Sequence, residues 1–146
     1  MDKRESGEAL ISAWLALAGA LWSGRIVSGM TFNEVHICNH LNHTDDQGLT
    51  ATQLCQRTGL LKSQMNKVLT DMERKGHICR QRSGVDRRQI NIRLTYEGKN
   101  AYLKTHEQII SLTDRLVDHI GIEQAANAAA SVLQIANLLR EIIRYD

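Results

Sequence analysis

Between Thr50 and Leu94 the hydrophobic period of this chain switches from helical to alternating, and no other feature restricts its fold so tightly. Thr50-Ala51-Thr52-Gln53 forms a capping box, in which the Thr50 hydroxyl takes a free amide of the first turn and Gln53 reaches back. It predicts a short helix that ends at Gly59, a residue suited to the left-handed conformation of a helix stop. A second helix is expected from about residue 62 to 75, closed by Gly76. Leu54, Val68, Leu69 and Met72 are placed to pack these two helices together. Immediately afterwards Ile78–Arg82 and Ile90–Leu94 alternate as strands with one buried face do, and the polar, glycine-containing run 83–88 between them is their turn.

Two helices joined by a tight glycine turn, the second polar and basic, make a helix-turn-helix. A basic hairpin directly after it makes the unit a winged helix. The charges are segregated to match. Residues 50–99 hold 11 Lys or Arg against 4 Asp or Glu, a net of +7, and the remainder holds 7 against 12, a net of −5. The formal +2 of the whole chain therefore hides a basic module between acidic arms. Positive charge concentrated on one compact module is the electrostatic footprint of a polyanionic partner.

The 146 residues suffice for one domain, or one domain with a helical extension, and contain no proline where average usage would put roughly seven. Long helices are expected in both arms. The first, over residues 7–27, carries Leu10, Trp14, Leu17 and Leu21 on one stripe, widened by Leu15, Ala18 and Trp22. A helix apolar over more than half its circumference needs cover on two sides, and a partner subunit is the economical source. The uncharged run 9–24 is too short to span a bilayer, and Asp2, Glu5 and Glu8 do not suit a leader; it reads as a buried helix of a cytoplasmic protein. Thr31-Phe32-Asn33-Glu34 is another capping box and opens a helix reaching about residue 43. Beyond Thr95 two more helices are expected. One, over 96–120, is striped by Ile109, Leu112, Leu116 and Ile120; the other, over 123–144, by Val132, Ile135, Leu138, Leu139 and Ile142, with a break at Gly121. The chain is thus expected to be mainly α with a small β-wing.

The run Asp86-Arg87-Arg88-Gln89-Ile90-Asn91-Ile92-Arg93-Leu94-Thr95, followed by Glu97-Gly98-Lys99, is similar to a D-x-R, alternating-strand, L-T-x-x-G wing signature. Met72-Glu73-Arg74-Lys75-Gly76-His77-Ile78 is similar to an L-E-x-x-G pattern with two apolar residues after it. In that order and spacing the two resemble the MarR family of bacterial transcriptional regulators. The resemblance covers roughly residues 31–104 in motif and the whole chain in helix order. It departs at Leu60-Leu61, where members often carry a small polar residue, and at His77, where an apolar one is usual. It implies a homodimer: residues 1–30 as an N-terminal dimerisation helix, 31–99 as a winged helix-turn-helix DNA-binding domain and 100–146 as C-terminal dimerisation helices. It implies a repressor on a pseudo-palindromic operator, and a small effector bound between the dimerisation and DNA-binding regions.

On the second helix of the basic module Ser63, Gln64, Asn66, Lys67 and Thr70 are expected to face the DNA, with Lys62 and Thr52 beside them. The amides of Gln64 and Asn66 suit adenine edges in the major groove, and Lys67 suits guanine or phosphate. The resemblance implies that Arg88 enters the minor groove, whose narrow A·T-rich stretches attract a guanidinium, with Asp86 bracing it or a neighbouring arginine. Arg80, Arg82 and Arg87 suit phosphates. For the effector, Trp14, Trp22, Arg25, His36 and His40 would suit an aromatic or carboxylated molecule, or are core packing. His36, His40 and His43 share a helix face, and His-x-x-x-His can bind zinc, with His106 and Glu107 later in the chain. Cys38, Cys55 and Cys79, odd in number and without C-x-x-C spacing, argue against a disulfide scaffold and would sense oxidants only if exposed and acidic. Zinc or redox sensing in the same fold therefore stays open, as does a winged helix used for protein contact. With no G-x-S-x-G, phosphate loop or carboxylate pair placed for acid–base work, no enzyme activity, cofactor or metal is expected.

Overall fold

The computed structural model describes residues 1–21 and 29–145. The described elements are α1 (Lys3–Leu21), α2 (Phe32–Asn42), β1 (Leu49–Thr50), α3 (Ala51–Thr58), α4 (Lys62–Arg74), β2 (Ile78–Arg82), β3 (Ile90–Leu94), α5 (Tyr96–Ile120) and α6 (Ile122–Tyr145). They divide into two compact units, Met1–Ile109 and Ile110–Asp146.

The capping boxes form as their chemistry predicts. Thr31 Oγ1 accepts the Glu34 N–H at 3.2 Å while Glu34 Oε2 accepts the Thr31 N–H at 3.3 Å. Thr50 and Gln53 exchange the equivalent bonds at 3.1 and 2.9 Å, and Gly59 ends α3 at φ +76°. Thr50 has a second role that its sequence context conceals. With Leu49 it forms a two-residue strand, Leu49 opposite Ile92 and Thr50 opposite Asn91, so that β3 lies at the centre of an antiparallel sheet of order β1-β3-β2. The hairpin runs in the register Ile78↔Leu94, Arg80↔Ile92 and Arg82↔Ile90.

Leu54, Leu69 and Met72 are buried as expected and Val68 packs at their margin. Ile37, Cys38, Leu41, Leu49, Met65, Ile78, Ile92 and Tyr102 join them, so one core lies beneath α2, α3, α4 and the sheet. Helix α4 ends in a Schellman turn: the His77 N–H reaches the Met72 carbonyl at 2.9 Å and the Gly76 N–H reaches the Glu73 carbonyl at 3.0 Å, with Gly76 at φ +78°. Thr95 fastens the end of the wing to this turn. Its N–H donates to the His77 carbonyl at 3.0 Å and its hydroxyl donates to the Gly76 carbonyl at 2.5 Å and accepts the Gly98 N–H at 2.9 Å. A Cβ on Gly98 would run into the His77 carbonyl. The L-T-x-x-G run is therefore a clamp: threonine supplies the bonds and glycine the close approach.

The arms correct the expected helix starts. Helix α1 begins at Lys3 rather than residue 7, because Asp2 and Glu5 form a capping box of their own, with both bonds at 2.8 Å. Within the single chain none of its residues is buried. Alanine and leucine propensity with a cap suffices to form the helix, whereas its burial requires a surface that this single chain does not lay over it. Helix α6 likewise has no buried residue among the described ones, and it starts at Ile122, directly after Gly121 at φ +87°. Among the described residues no helix is long and apolar enough to cross a membrane.

Candidate nucleic-acid interface

Helix α4 is split along its length. Met65, Leu69 and Met72 are buried, which turns Lys62, Ser63, Gln64, Asn66, Lys67 and Thr70 outward, all of them exposed. Thr52 is exposed on the first turn of α3. The polar groups on this face are not equally available. Gln64 Oε1 accepts the Leu61 N–H at 3.0 Å, which leaves its amide NH2 to face outward as a donor. The Thr70 hydroxyl donates to the Asn66 carbonyl at 2.8 Å, four residues back. The side chains of Ser63, Asn66, Lys62 and Lys67 have no partner among the described residues.

The wing turn is built on two side chains. Ser83 Oγ accepts the N–H groups of Val85 and Asp86 at 3.2 and 3.3 Å, and Asp86 Oδ1 accepts the Arg88 N–H at 3.0 Å. The Gln89 N–H donates to the Asp86 carbonyl at 3.0 Å and the Ser83 N–H to the Gln89 carbonyl at 2.9 Å. Asp86 thus braces Arg88 through the backbone, and among the described residues it forms no ion pair. The guanidinium groups of Arg87 and Arg88 are left exposed and unpaired at the tip, as is that of Arg82 on β2. Arg80 differs: its Nε lies 3.4 Å from Glu73 Oε2, so α4 holds it by an ion pair. Arg93 donates to Gln81 Oε1 at 3.0 Å across the hairpin.

The residues read as an effector site are only partly brought together. His36 and His40 lie with ring centroids 5.1 Å apart, and Phe32 stands 6.2 Å from His36 on the same face of α2. Trp14 is 41% exposed on α1. Trp22 and Arg25 lie outside the described residues. His43 leaves the histidine row, its Nδ1 being 2.7 Å from the Asn39 carbonyl. His106 packs on Tyr102 at 5.7 Å. Among the described residues no three His, Cys, Asp or Glu side chains gather as a metal site. Cys38 is fully buried, and that burial, reinforced by the Glu34 charge, pushes its thiol up to about 12. This is the reverse of a reactive sensor thiol. Cys55 and Cys79 are half-buried free thiols.

The sequence pattern of the MarR family matches residues 28–89, from the segment before α2 into the wing turn. Over these residues the chain is similar to the MarR family. MarR proteins are transcription regulators rather than enzymes. No curated protein is significantly similar in sequence. In fold, the chain resembles the PcaV transcriptional regulator of Streptomyces coelicolor, solved with its natural ligand, at a TM-score of 0.75 and 21% identity over 94% of this chain and 96% of that one. It resembles CouR, a transcriptional repressor solved on a 23-mer DNA duplex, at 0.76 and 23% identity over 89% and 91%. It resembles FabT of Streptococcus pneumoniae, solved in complex with DNA, at 0.70 and 19% identity over 97% and 99%. The D-x-R run starts in the Ser83–Asp86 turn lock, and the L-T-x-x-G run is the Thr95–Gly98 clamp.

Proposed function

We propose that this chain is a transcriptional repressor that binds double-stranded DNA as a homodimer and is controlled by a small effector. One observation carries the DNA reading: a module of net +7 presents unpaired cations on two neighbouring elements, Lys62 and Lys67 on α4 and Arg87 and Arg88 at the wing tip. The major groove is wide enough for α4, where Asn66 and the Gln64 amide would meet base edges and Ser63, Thr70, Lys62 and Lys67 the flanks. The wing would place Arg88 in the adjacent minor groove, with Arg82, Arg87 and Thr52 on phosphates. Arg80 would join them once Glu73 releases it.

The dimer reading is supported by apolar side chains left uncovered on the arms, among them Leu15 at 69% and Ile11 at 54% exposed on α1, and Leu133 at 64% and Ile143 at 72% on α6. Apolar rows of this extent mark association surfaces. A two-fold dimer would read a pseudo-palindrome with half-sites roughly one helical turn, ~34 Å, apart. Residues 1–30 and 100–146 would then serve dimerisation and 31–99 DNA binding, in the cytoplasm where DNA is accessible. Phe32, His36 and His40 would form one wall of a pocket for an aromatic or carboxylated effector, with Trp14, Trp22 and Arg25 contributed from the first arm. The PcaV complex with its natural ligand supports the expectation of an effector.

A mobility-shift titration with DNA from upstream of the protein's own gene, paired with sedimentation of the free protein, tests this. Two protomers per shifted duplex are expected. A folded dimer that shifts no pseudo-palindromic duplex contradicts the proposal.

A further inference from the structure

Leu61 stands at the entrance to α4 and breaks two local rules at once. It is the N-cap residue, at φ −69° and ψ 153°, where Ser, Thr, Asp or Asn would accept a first-turn amide with its side chain. Leucine has no acceptor, and its own N–H is looked after by Gln64 Oε1 at 3.0 Å. Leu61 is also 67% exposed, whereas Leu60, next to it, packs against the core. The pair therefore divides: Leu60 serves the fold and Leu61 does not. Positions where a sequence violates local preference without a structural return concentrate at functional sites.

The surroundings say what an outward leucine could meet there. Lys62, Ser63 and Gln64 follow it on the exposed face, and the N-terminal residues of a recognition helix are those that approach base edges. A major groove offers hydrogen-bonding atoms at every pair, and one apolar group, the C5-methyl of thymine. We propose that Leu61 is a specificity-determining residue that packs on a thymine methyl in each half-site. This inference rests on the DNA-binding reading and narrows it: one position per half-site must be thymine, selected by its methyl group.

The test begins with selection of a duplex by the full-length wild-type protein from a randomised double-stranded pool. The winning duplex is then resynthesised with deoxyuridine at each thymine in turn, which deletes the methyl and nothing else. At one symmetric pair of positions the substitution should weaken wild-type binding roughly four-fold per half-site, the worth of burying one methyl group. Leu61→Ser keeps the helix, because serine can cap it, and should bind the thymine and deoxyuridine duplexes equally at that pair. A Leu61→Ser protein that still feels the missing methyl overturns the assignment, and so does a wild-type protein indifferent to every methyl. If no duplex is enriched at all, the DNA-binding reading falls and this inference with it; enrichment without methyl sensitivity removes this inference alone.

Discussion

Lys75 Nζ lies 2.7 Å from Glu34 Oε1 and so ties the end of α4 to the first turn of α2. Glu34 is buried, and its second oxygen holds the Thr31 N–H of the α2 cap at 3.3 Å. Lys75 remains 41% exposed, so solvent weakens the pair on one side only. Lys75→Met should cost about 2 kcal/mol, below the figure for a fully buried pair, because it strands a buried carboxylate that keeps only its cap bond. Glu34→Gln retains an acceptor for Thr31 and should cost less, about 1 kcal/mol. Chemical denaturation of both variants checks the order; a harmless Lys75→Met would contradict it.

Cys38 predicts an alkaline weakness. Folding raises its pKa from 9.0 to about 12, first through burial and then through the Glu34 charge, so the folded chain holds this proton more tightly than the unfolded one. The associated stability is complete below pH 9 and is lost as pH climbs towards 12. Tyr102, also raised by burial and donating to Asn39 Oδ1 at 2.9 Å, acts in the same direction. Denaturation midpoints should fall through this range, less steeply in Cys38→Ala. At pH 8 a thiol reagent should modify Cys38 only on unfolding, after Cys55 and Cys79. Immediate labelling of Cys38 in the folded protein would contradict its burial.

Gly98→Ala should destabilise by about 3 kcal/mol or more, since the new Cβ meets the His77 backbone carbonyl and the wing clamp must open. Thermal unfolding measures this directly. Gly84→Ala makes a matched control, because nothing stands within 4 Å of that position, and it should change stability little.

Much of this was legible in the residues because the chemistry is local. The hairpin strands, the boxes at Thr31 and Thr50 and the glycine stops at Gly59, Gly76 and Gly121 each depend on neighbours within a few positions. Strand β1 was not legible: two residues carry no period, and its pairing with β3 is a long-range event. The Glu34–Lys75 tie joins residues 41 apart, and Glu34 in sequence reads only as a cap. At the candidate site exposure was readable from the α4 stripe, whereas occupancy was not. Arg80, held by Glu73 of α4, is settled by a neighbour from another element.

Arg80 should be a reserve cation. Glu73→Gln removes its partner at 3.4 Å and one negative charge beside the DNA face. DNA affinity should rise by a few-fold, since exposed pairs of this kind are worth about 0–1 kcal/mol. Anisotropy titration at fixed salt is the measurement, and weaker binding would contradict the assignment of Arg80 to phosphate.

Arg88→Ala should weaken binding by about 1–3 kcal/mol and leave the dimer intact, because Asp86 holds the turn through the Arg88 backbone N–H, which alanine retains. Equal affinity in Arg88→Ala and wild type would remove the minor-groove role.

The most direct test of the central claim, a winged helix that grips the DNA backbone with a +7 module, is the salt dependence of duplex binding by the intact protein. A plot of log affinity against log salt should be a steep descending line whose slope corresponds to several phosphates neutralised per protomer, and Arg87→Ala should reduce that slope by about one per protomer. A flat line, or a slope untouched by Arg87→Ala and Lys67→Ala, would contradict it.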